Sequence, residues 1–412
     1  MGNKIMKINK FLKPQIIISL QYIVITVLFL IYNNKVSINN KKELIIYLYM
    51  PYIMYIIFFL TLKIVSLNYK RDTNDKIIFK SSITYNIIKI ILFITTVINF
   101  ISIIEMINSV GLFNLIDKYS ILYFQRYPGK MLSISIALMN IIPICVLIYY
   151  DYISKIENKK IRFKKSILIY IYILESLIIC SSAGIRFLFI VNSVPLMVNI
   201  IYHKRLNFIL IRRIMLIGIL IGGIFIGGQS VKTQNISIKD NISAITEYYT
   251  ESINNVFYII SHNYGKMNPD YWTVYRTFKG VPYIDFKKIE RWYVEKYGYI
   301  PIIDRDDDFE YVKKMGIEPK NNTFSIWGYS YLDYGQYGWI LVAFQLILIQ
   351  ILYTISLKSK KLEIFYCLLV LFVIEQIRTN GIINSRVINA AILFILLNII
   401  DTLINKYIKR KN

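Results

Sequence analysis

Five arginines stand at the ends of apolar stretches or in the polar segments between them, where a guanidinium group can meet a polyanion. They are Arg126, Arg186, Arg276, Arg378 and Arg386. A guanidinium pairs with two phosphate oxygens at once, so several of them on one face suit pyrophosphate. A charge close to hydrocarbon is costly unless it is paired or reaches water, which makes each one a candidate for function. The alternative for each is snorkelling or a structural ion pair, for instance Glu375 with Arg378.

Two further side chains are candidates for orienting or deprotonating a hydroxyl group. Asp333 lies among aromatic residues just before an apolar stretch, and His262 lies in the polar sequence Ser261-His262-Asn263-Tyr264. A carboxylate or an imidazole commonly serves as the general base in such a step. The alternatives are a helix cap in an aromatic belt for Asp333 and a solvated loop residue for His262.

The residue types that are scarce exclude several kinds of site. Three cysteines, each inside an apolar stretch, indicate no disulfide framework, and the two histidines give no zinc-binding spacing. The sequence has no glycine-rich loop of the kind that cradles phosphates. Residues 306–308 formally match a DxD pair, but they belong to an acidic run that we interpret as a solvated loop. We therefore expect neither a metal ion nor a cofactor.

The hydropathy pattern predicts the elements that position these residues. The chain has 412 residues, of which 56% are apolar, whereas soluble domains have about 45–50%. The excess falls in ten blocks of 15 to 22 residues, which we interpret as helices that cross the hydrocarbon layer. These predicted spans are residues 15–32, 44–62, 87–108, 131–150, 167–182, 187–202, 214–229, 336–357, 363–377 and 387–404. We predict an all-α integral membrane protein with an N-terminal bundle (1–229), a large loop (230–322) and a C-terminal transmembrane part (323–412).

The distribution of charge predicts the orientation of the chain. With the N-terminus inside, the cytoplasmic segments carry 26 of the 49 lysines and arginines, and the short outer segments carry nine. This asymmetry follows the positive-inside rule, which predicts cytoplasmic termini and an extracytoplasmic loop 230–322. The loop itself holds 13 basic and 13 acidic residues. The net charge of +24 therefore indicates topology and attraction to anionic membrane lipids rather than nucleic-acid binding.

The predicted outer loop contains two helical patterns. Apolar residues at helix-like spacing over residues 243–260 predict an amphipathic helix on the membrane surface, and residues 287–297 predict a second, shorter helix. Tryptophan and tyrosine side chains are interspersed among the charges of this loop. Such side chains suit stacking against sugar rings.

The stretch that follows the loop is the most specific part of the sequence. Asn322-Thr323, an aromatic run, and Tyr331-Leu332-Asp333-Tyr334-Gly335 followed by Tyr337-Gly338 resemble the "NT…YLDFGxxG" signature of bacterial oligosaccharide repeat-unit polymerases, the Wzy-type O-antigen and capsule polymerases. Tyr334 departs from the phenylalanine that is more usual there. The Gly-x-Arg turn at 184–186 and the plan of ten or more spans with a large outer loop also resemble this family. The motif covers a short stretch, whereas the architectural resemblance covers most of the chain.

The resemblance implies a GT-C-like glycosyltransferase of the bacterial cytoplasmic membrane. Such an enzyme transfers a growing glycan from undecaprenyl pyrophosphate to a new lipid-linked repeat unit at the outer leaflet, without a metal ion or a nucleotide sugar. The implied partners are undecaprenyl-pyrophosphate-linked oligosaccharides and membrane lipids, with a chain-length regulator and a flippase as protein partners.

The resemblance and the residue types together assign roles to individual side chains. Arg186 is expected to bind the donor pyrophosphate, with Asp333 and His262 as catalytic residues on the acceptor side. Substrate binding is assigned to Arg126, Arg276, Asn322, Thr323, Tyr331, Gly335, Arg378 and Arg386. Two other functions stay open at this point: a lipid-linked oligosaccharide flippase or other transporter, and a polyprenyl-linked glycan ligase.

Overall fold

Every regular element that the structure describes is helical. The computed structural model describes residues 12–32, 38–66, 78–115, 117–202, 237–264, 286–297, 323–357, 359–378 and 385–411, together with the single residues 212, 223 and 317. The helices are α1 (Pro14–Tyr32), α2 (Ile38–Ser66), α3 (Ser82–Val110), α4 (Lys118–Arg126), α5 (Lys130–Met139), α6 (Pro143–Ser154), α7 (Lys159–Ser182), α8 (Arg186–Tyr202), α9 (Ile238–Ser261), α10 (Phe286–Tyr297), α11 (Ile326–Tyr334), α12 (Gly338–Ser356), α13 (Lys360–Ile374) and α14 (Ser385–Lys411). The all-α class is therefore as predicted.

Several of the described helices are long and apolar enough to cross a membrane. Five segments qualify by length and composition: Pro14–Ile31, Lys41–Leu62, Ser82–Val110, Ile326–Ser356 and Arg386–Ile408. The bent pair formed by α5 and α6 makes a sixth if it is one span. These segments fit a multi-pass membrane protein, as predicted, but the count of about ten spans is not confirmed. The predicted span 214–229 lies outside the described residues, apart from Gly223.

Helix α13 is the element around which the other helices pack. Nearly all of its residues from Glu363 to Val373 are buried. One side of α13, including Leu368 and Phe372, faces a core built from α3, α5, α6, α7, α8 and α14. The other side, including Tyr366, faces a second core built mainly from α1, α2, α9, α11 and α12. Because protein rather than lipid surrounds α13, a helix of 15 residues, about 22 Å long, can serve here although it is shorter than the hydrocarbon layer.

The predicted span 131–150 is broken into α5 and α6, which meet at 58°. Pro143 begins α6 and has no N–H group, so it cannot donate to the carbonyl of Met139 four residues earlier. The side-chain amide of Asn192 on α8 donates to that carbonyl instead, at 3.2 Å. Asn192 is itself held by the hydroxyl of Tyr172 on α7. A side chain of a neighbouring helix therefore supplies the hydrogen bond that the Met139 carbonyl lacks at the break, as a low-dielectric interior requires.

Ion pairs hold the end of the bundle at which α6 ends and α13 begins. The Lys360 ammonium contacts Glu363 and lies 3.2 Å from Asp151 Oδ1. Lys155 Nζ lies 2.6 Å from Asp151 Oδ2. Asp151 and Glu363 are both buried, so each needs a cation beside it to offset the loss of hydration.

Helix α9 confirms the predicted helix over 243–260 but differs in its surroundings. The helix runs from Ile238 to Ser261, and Ile253, Val256 and Phe257 are fully buried. These residues pack against α1, α2 and α11, and Phe257 meets Phe29 of α1 edge to face with ring centroids 5.9 Å apart. The apolar face of α9 is therefore buried against the helical bundle instead of lying on a membrane surface.

Candidate functional site

Two of the predicted arginines meet at one aromatic ring. The guanidinium carbon of Arg378 lies 4.8 Å from the centroid of the Phe187 ring, and that of Arg386 lies 5.2 Å from the same centroid. Phe187 directly follows Arg186, the first residue of α8. We name Arg186, Arg378 and Arg386 the arginine cluster; for Arg186 the structure describes the backbone alone. Contacts between cations and the ring face are favourable, and they bring together positive charges contributed by the end of α13 and by α14.

The turn before α8 positions Arg186 through its backbone. Helix α7 ends in a Schellman motif, with Gly184 N donating to Ser181 O at 3.3 Å and Ile185 N donating to Cys180 O at 2.9 Å. Gly184 has φ = +67°, and a Cβ there would lie 2.6 Å from Ile121 Cγ2 and 2.7 Å from Gln125 Nε2. The turn therefore requires glycine both for its backbone angle and for the close approach of α4.

Glu375 is the carboxylate in contact with the arginine cluster. Arg378 Nε donates to Glu375 Oε2 at 2.7 Å, so the ion pair considered as the alternative from sequence is present. The hydroxyl of Tyr249 on α9 donates to the other carboxylate oxygen, Oε1, at 2.9 Å. Glu375 is buried, which makes both hydrogen bonds stronger than they would be in water. Helix α9 is thereby anchored to the end of α13.

The same helix also holds the start of the predicted signature. Thr323 Oγ1 lies 2.6 Å from Ser252 Oγ, and the side-chain amide of Asn255 donates to Thr323 O at 3.0 Å. Ser252 stands one helical turn after Tyr249 on α9, so Thr323 and the Glu375–Arg378 pair bind neighbouring turns of one helix. Asn322, which precedes Thr323 in the signature, lies outside the described residues, and so does Arg276.

The central part of the signature is buried inside the second core. Asp333 is 4% exposed and Tyr331 is 2% exposed, and both lie close to Tyr47 of α2. The Tyr331 hydroxyl donates to Glu43 Oε1 at 3.3 Å and to Asn263 Oδ1 at 3.4 Å. Asp333 is therefore enclosed by aromatic side chains, whereas Tyr331 reaches the polar groups at the end of α9.

His262 caps the end of α9. Its Nδ1 lies 2.9 Å from Tyr258 O and 3.1 Å from Ser261 Oγ, and its ring lies over that of Tyr258 with centroids 4.1 Å apart. The imidazole is exposed to solvent. Burial and the neighbouring Tyr264 raise the pKa of the Tyr258 hydroxyl above its ordinary value, so that hydroxyl stays neutral beside the histidine.

The arginine cluster and the buried signature lie at different levels of α9. Tyr249 contacts Glu375, the ion-pair partner of Arg378, and Asn263 contacts Tyr331. The two positions on the chain are about 20 Å apart at roughly 1.5 Å per helical residue. Thr323 contacts α9 at Ser252 and Asn255, on the side of Tyr249. Tyr331, Gly335, Asp333 and His262 form the group at the C-terminal end of α9. Arg126 belongs to neither group by any contact described, and lies exposed at the end of α4.

Sequence reasoning missed the residues that organise these two groups. Phe187 and Tyr249 carry no motif, and an aromatic residue beside an apolar stretch gives no signal of its own. Glu43 and Asn263 were also missed, because a single polar residue near a helix end belongs to no motif. Among the described residues, no group of three or more histidine, cysteine or acidic side chains is arranged to hold a metal ion.

Comparison of the sequence with family models, with curated proteins and with solved structures finds no match.

Proposed function

We propose that this protein polymerises undecaprenyl-pyrophosphate-linked oligosaccharide repeat units into a surface polysaccharide, as a metal-independent glycosyltransferase of the bacterial cytoplasmic membrane. The observation that carries the proposal is the convergence of Arg378 and Arg386 on Phe187, beside Arg186. Three arginines at one end of a helical membrane bundle suit a lipid pyrophosphate, whose headgroup lies at the membrane surface. The resemblance of residues 322–338 to the repeat-unit polymerases supports the same conclusion.

The proposed reaction uses the arginine cluster on the donor side. The acceptor hydroxyl attacks the anomeric carbon of the donor glycan, the bond from that carbon to the pyrophosphate oxygen breaks, and lipid pyrophosphate leaves. The arginines neutralise the negative charge that grows on the leaving group, which lowers the barrier because they are already in position. Arg126 and Arg276 belong to the same donor side in this proposal.

The acceptor hydroxyl loses its proton to a carboxylate in the proposed reaction. Glu375 lies beside the arginine cluster, positioned by Arg378 and Tyr249, and the proposal assigns this proton to it. The proposal assigns the acceptor side to Asp333, His262, Asn322, Thr323, Tyr331 and Gly335. The length of α9 between the two groups, about 20 Å, suits an oligosaccharide better than a single sugar.

The proposal includes the orientation of the chain, with about ten spans, cytoplasmic termini and the arginine cluster at the outer leaflet. In a variant without the three native cysteines, a single cysteine at position 130 is expected to react with a membrane-impermeant thiol reagent in intact cells. A single cysteine at position 160 is expected to react only after the cells are opened. The reverse pattern would contradict outer-leaflet chemistry. The physical basis is the excess of lysine and arginine in segments such as 155–165.

Purified protein in vesicles is expected to lengthen glycans when it receives only lipid-linked repeat units, in the presence of a metal chelator. The reason is that the proposed site stabilises the leaving group with arginines and needs no nucleotide sugar. Product length is read on a gel, with heat-unfolded protein as the control. A strict need for an added divalent cation would contradict the metal-independent reaction, and would draw attention back to residues 306–308.

A transporter of lipid-linked oligosaccharides is the second candidate, because polar groups are buried inside the first core. Glu175 of α7 lies beside Asn99 of α3, and Ser135 Oγ of α5 donates to Asn99 Oδ1 at 2.6 Å. Buried polar residues in a membrane bundle commonly mark a transport path. Transport without lengthening of the glycan in the vesicle assay would favour this candidate, and transfer to a non-glycan acceptor would favour a ligase.

A further inference from the structure

A half-open cavity of about 260 Å³ lies where α6 ends and α7 begins, at the end of the bundle opposite the arginine cluster. Its polar lining consists of two cations and four hydroxyl groups. These are Tyr150, Ser154, Lys159, Arg162, Ser166 and Tyr170. The hydroxyls of Ser154 and Ser166 donate to the backbone carbonyls of Asp151 and Arg162. The ammonium, the guanidinium and the two tyrosine hydroxyls are the donors that suit a phosphate group.

The geometry of α7 aims these groups at one place. Lys159, Arg162, Ser166 and Tyr170 follow the spacing of three and four residues that puts side chains on one helix face. Arg162 is only half-exposed and lies close to the hydroxyl of Tyr150. The cationic side of the cavity is therefore contributed by one face of α7, and α6 supplies the opposite wall.

No acidic side chain in the described part of the chain forms an ion pair with the two cations of this cavity. Asp151, the acidic residue of α6, is engaged by Lys155 and Lys360 instead. Among the described residues, no carboxylate lies within ion-pair distance of Lys159 or Arg162, and the first turn of α7 carries no acidic side chain. Three further cations, Lys160, Lys164 and Lys165, belong to the same helix but do not line the cavity. An anion from outside the protein would complete the site.

An exposed apolar stripe continues from the cavity along α7. Phe163, Ile167, Tyr170 and Leu174 share one helix face, and their exposed fractions are 65%, 41%, 61% and 59%. Phe163 and Tyr170 also line the cavity itself. When α7 lies in the membrane, this stripe is in contact with lipid acyl chains. A lipid can therefore place its headgroup in the cavity and its hydrocarbon chain along the stripe.

We propose that this cavity binds the phosphate headgroup of an anionic phospholipid, such as phosphatidylglycerol, whose acyl chain lies along the α7 stripe. The site is separate from the arginine cluster and does not depend on the polymerase reaction. It requires only that α7 lies in the membrane. The lipid neutralises Lys159 and Arg162 and joins the end of α6 to the start of α7 at the membrane surface.

The test compares two double variants of the full chain with equal changes in net charge. Lys159→Gln/Arg162→Gln removes the cations of the cavity, whereas Lys160→Gln/Lys164→Gln removes two exposed cations from another face of the same helix. Native mass spectrometry of detergent-purified protein titrated with phosphatidylglycerol measures bound lipid. The cavity variant is expected to bind about tenfold to thirtyfold more weakly than the wild type, and the control variant should bind like the wild type. Equal loss in both variants, or no loss in the cavity variant, would overturn the site.

Two further measurements keep the test decisive if the cavity variant folds poorly. Wild-type protein is expected to prefer phosphatidylglycerol over phosphatidylcholine, and inorganic phosphate at millimolar concentration should not displace the lipid. Equal binding of phosphatidylcholine, or displacement by phosphate, would show a different ligand. A phosphatidylglycerol with a photoreactive acyl chain should cross-link to the peptide that spans 163–174. Cross-links confined to other helices would contradict the proposed pose.

Discussion

Arg186→Lys is expected to slow glycan elongation by roughly a hundred- to a thousandfold while the amount of membrane-inserted protein stays unchanged. The loss of one donor aimed at the charge of a transition state costs about 2.7–4 kcal/mol. Lysine keeps the positive charge but cannot pair with two phosphate oxygens in one plane. Arg186 begins α8 directly beside Phe187, on which Arg378 and Arg386 converge. A positive charge without the planar guanidinium group should therefore not sustain the wild-type rate of elongation.

The measurement is polymer length on a gel, normalised to the amount of inserted protein, for Arg186→Lys and Arg186→Ala. Arg291→Lys is the matched control, because Arg291 is an exposed arginine of α10 within the predicted outer loop. Normal polymer length from well-expressed Arg186→Ala would end the hypothesis. A structural role for Arg186 predicts another result: normal polymer length per molecule, with lower levels of inserted protein.

Gly338→Ala is expected to cause the largest loss of stability among single-methyl additions at the described glycines. A Cβ at Gly338 would lie 2.2 Å from Ser330 O and 2.5 Å from both Ser330 C and Tyr47 Oη. Two of those atoms belong to the backbone of α11, which cannot move without disturbing the helix. The Tyr47 hydroxyl is already held by its hydrogen bond to Trp327 O, at 2.9 Å. Overpacking commonly costs about 1–3 kcal/mol, and we expect the upper end or more because the clash involves backbone.

The measurement for Gly338→Ala is the midpoint of thermal unfolding of the detergent-purified protein, together with its expression level. Gly223→Ala is the control, because a Cβ at Gly223 would meet no atom of the described residues within 4 Å. A midpoint for Gly338→Ala within experimental error of the Gly223→Ala value would contradict the tight packing of α11 against α2 and α12. Loss of activity without loss of stability would instead assign Gly338 to the binding path.

The sequence predicts most helices well because long apolar blocks have one stable arrangement in a membrane. Residues 15–32 and 187–202 were predicted as spans, and the structure has helices over Pro14–Tyr32 and Arg186–Tyr202. In hydrocarbon every backbone N–H and C=O must be satisfied within its own segment, which favours a helix wherever the block is long enough. The sequence did not indicate the 58° break within the predicted span 131–150, where Pro143 begins α6. The angle of that break depends on packing against Asn192 and its neighbours, so sequence alone could not supply it.

The candidate site was predictable as a set of residue types but not as an arrangement. Charged residues near hydrocarbon are conspicuous in the sequence, so Arg186, Arg378 and Arg386 could be selected without a structure. Their grouping around Phe187 depends on α8 packing against α13 and on α14 beginning nearby, and no local pattern encodes that. The expectation that Asp333 shares a pocket with Arg186 relied on the signature alone. The structure instead gives Glu375 as the carboxylate in contact with the cluster.

The sequence by itself determined that this chain is helical, that it belongs in a membrane and which of its charged residues lie at helix ends. These properties follow from the composition of each segment and from the spacing of its apolar residues, both of which are read from neighbouring residues in the chain. Only the tertiary structure decided that α13 is enclosed by two cores, that α9 packs against the bundle and links Glu375 to Thr323, and that two distant arginines share one aromatic ring. These contacts join residues far apart in the chain, and they form because helices pack by the shapes of their surfaces.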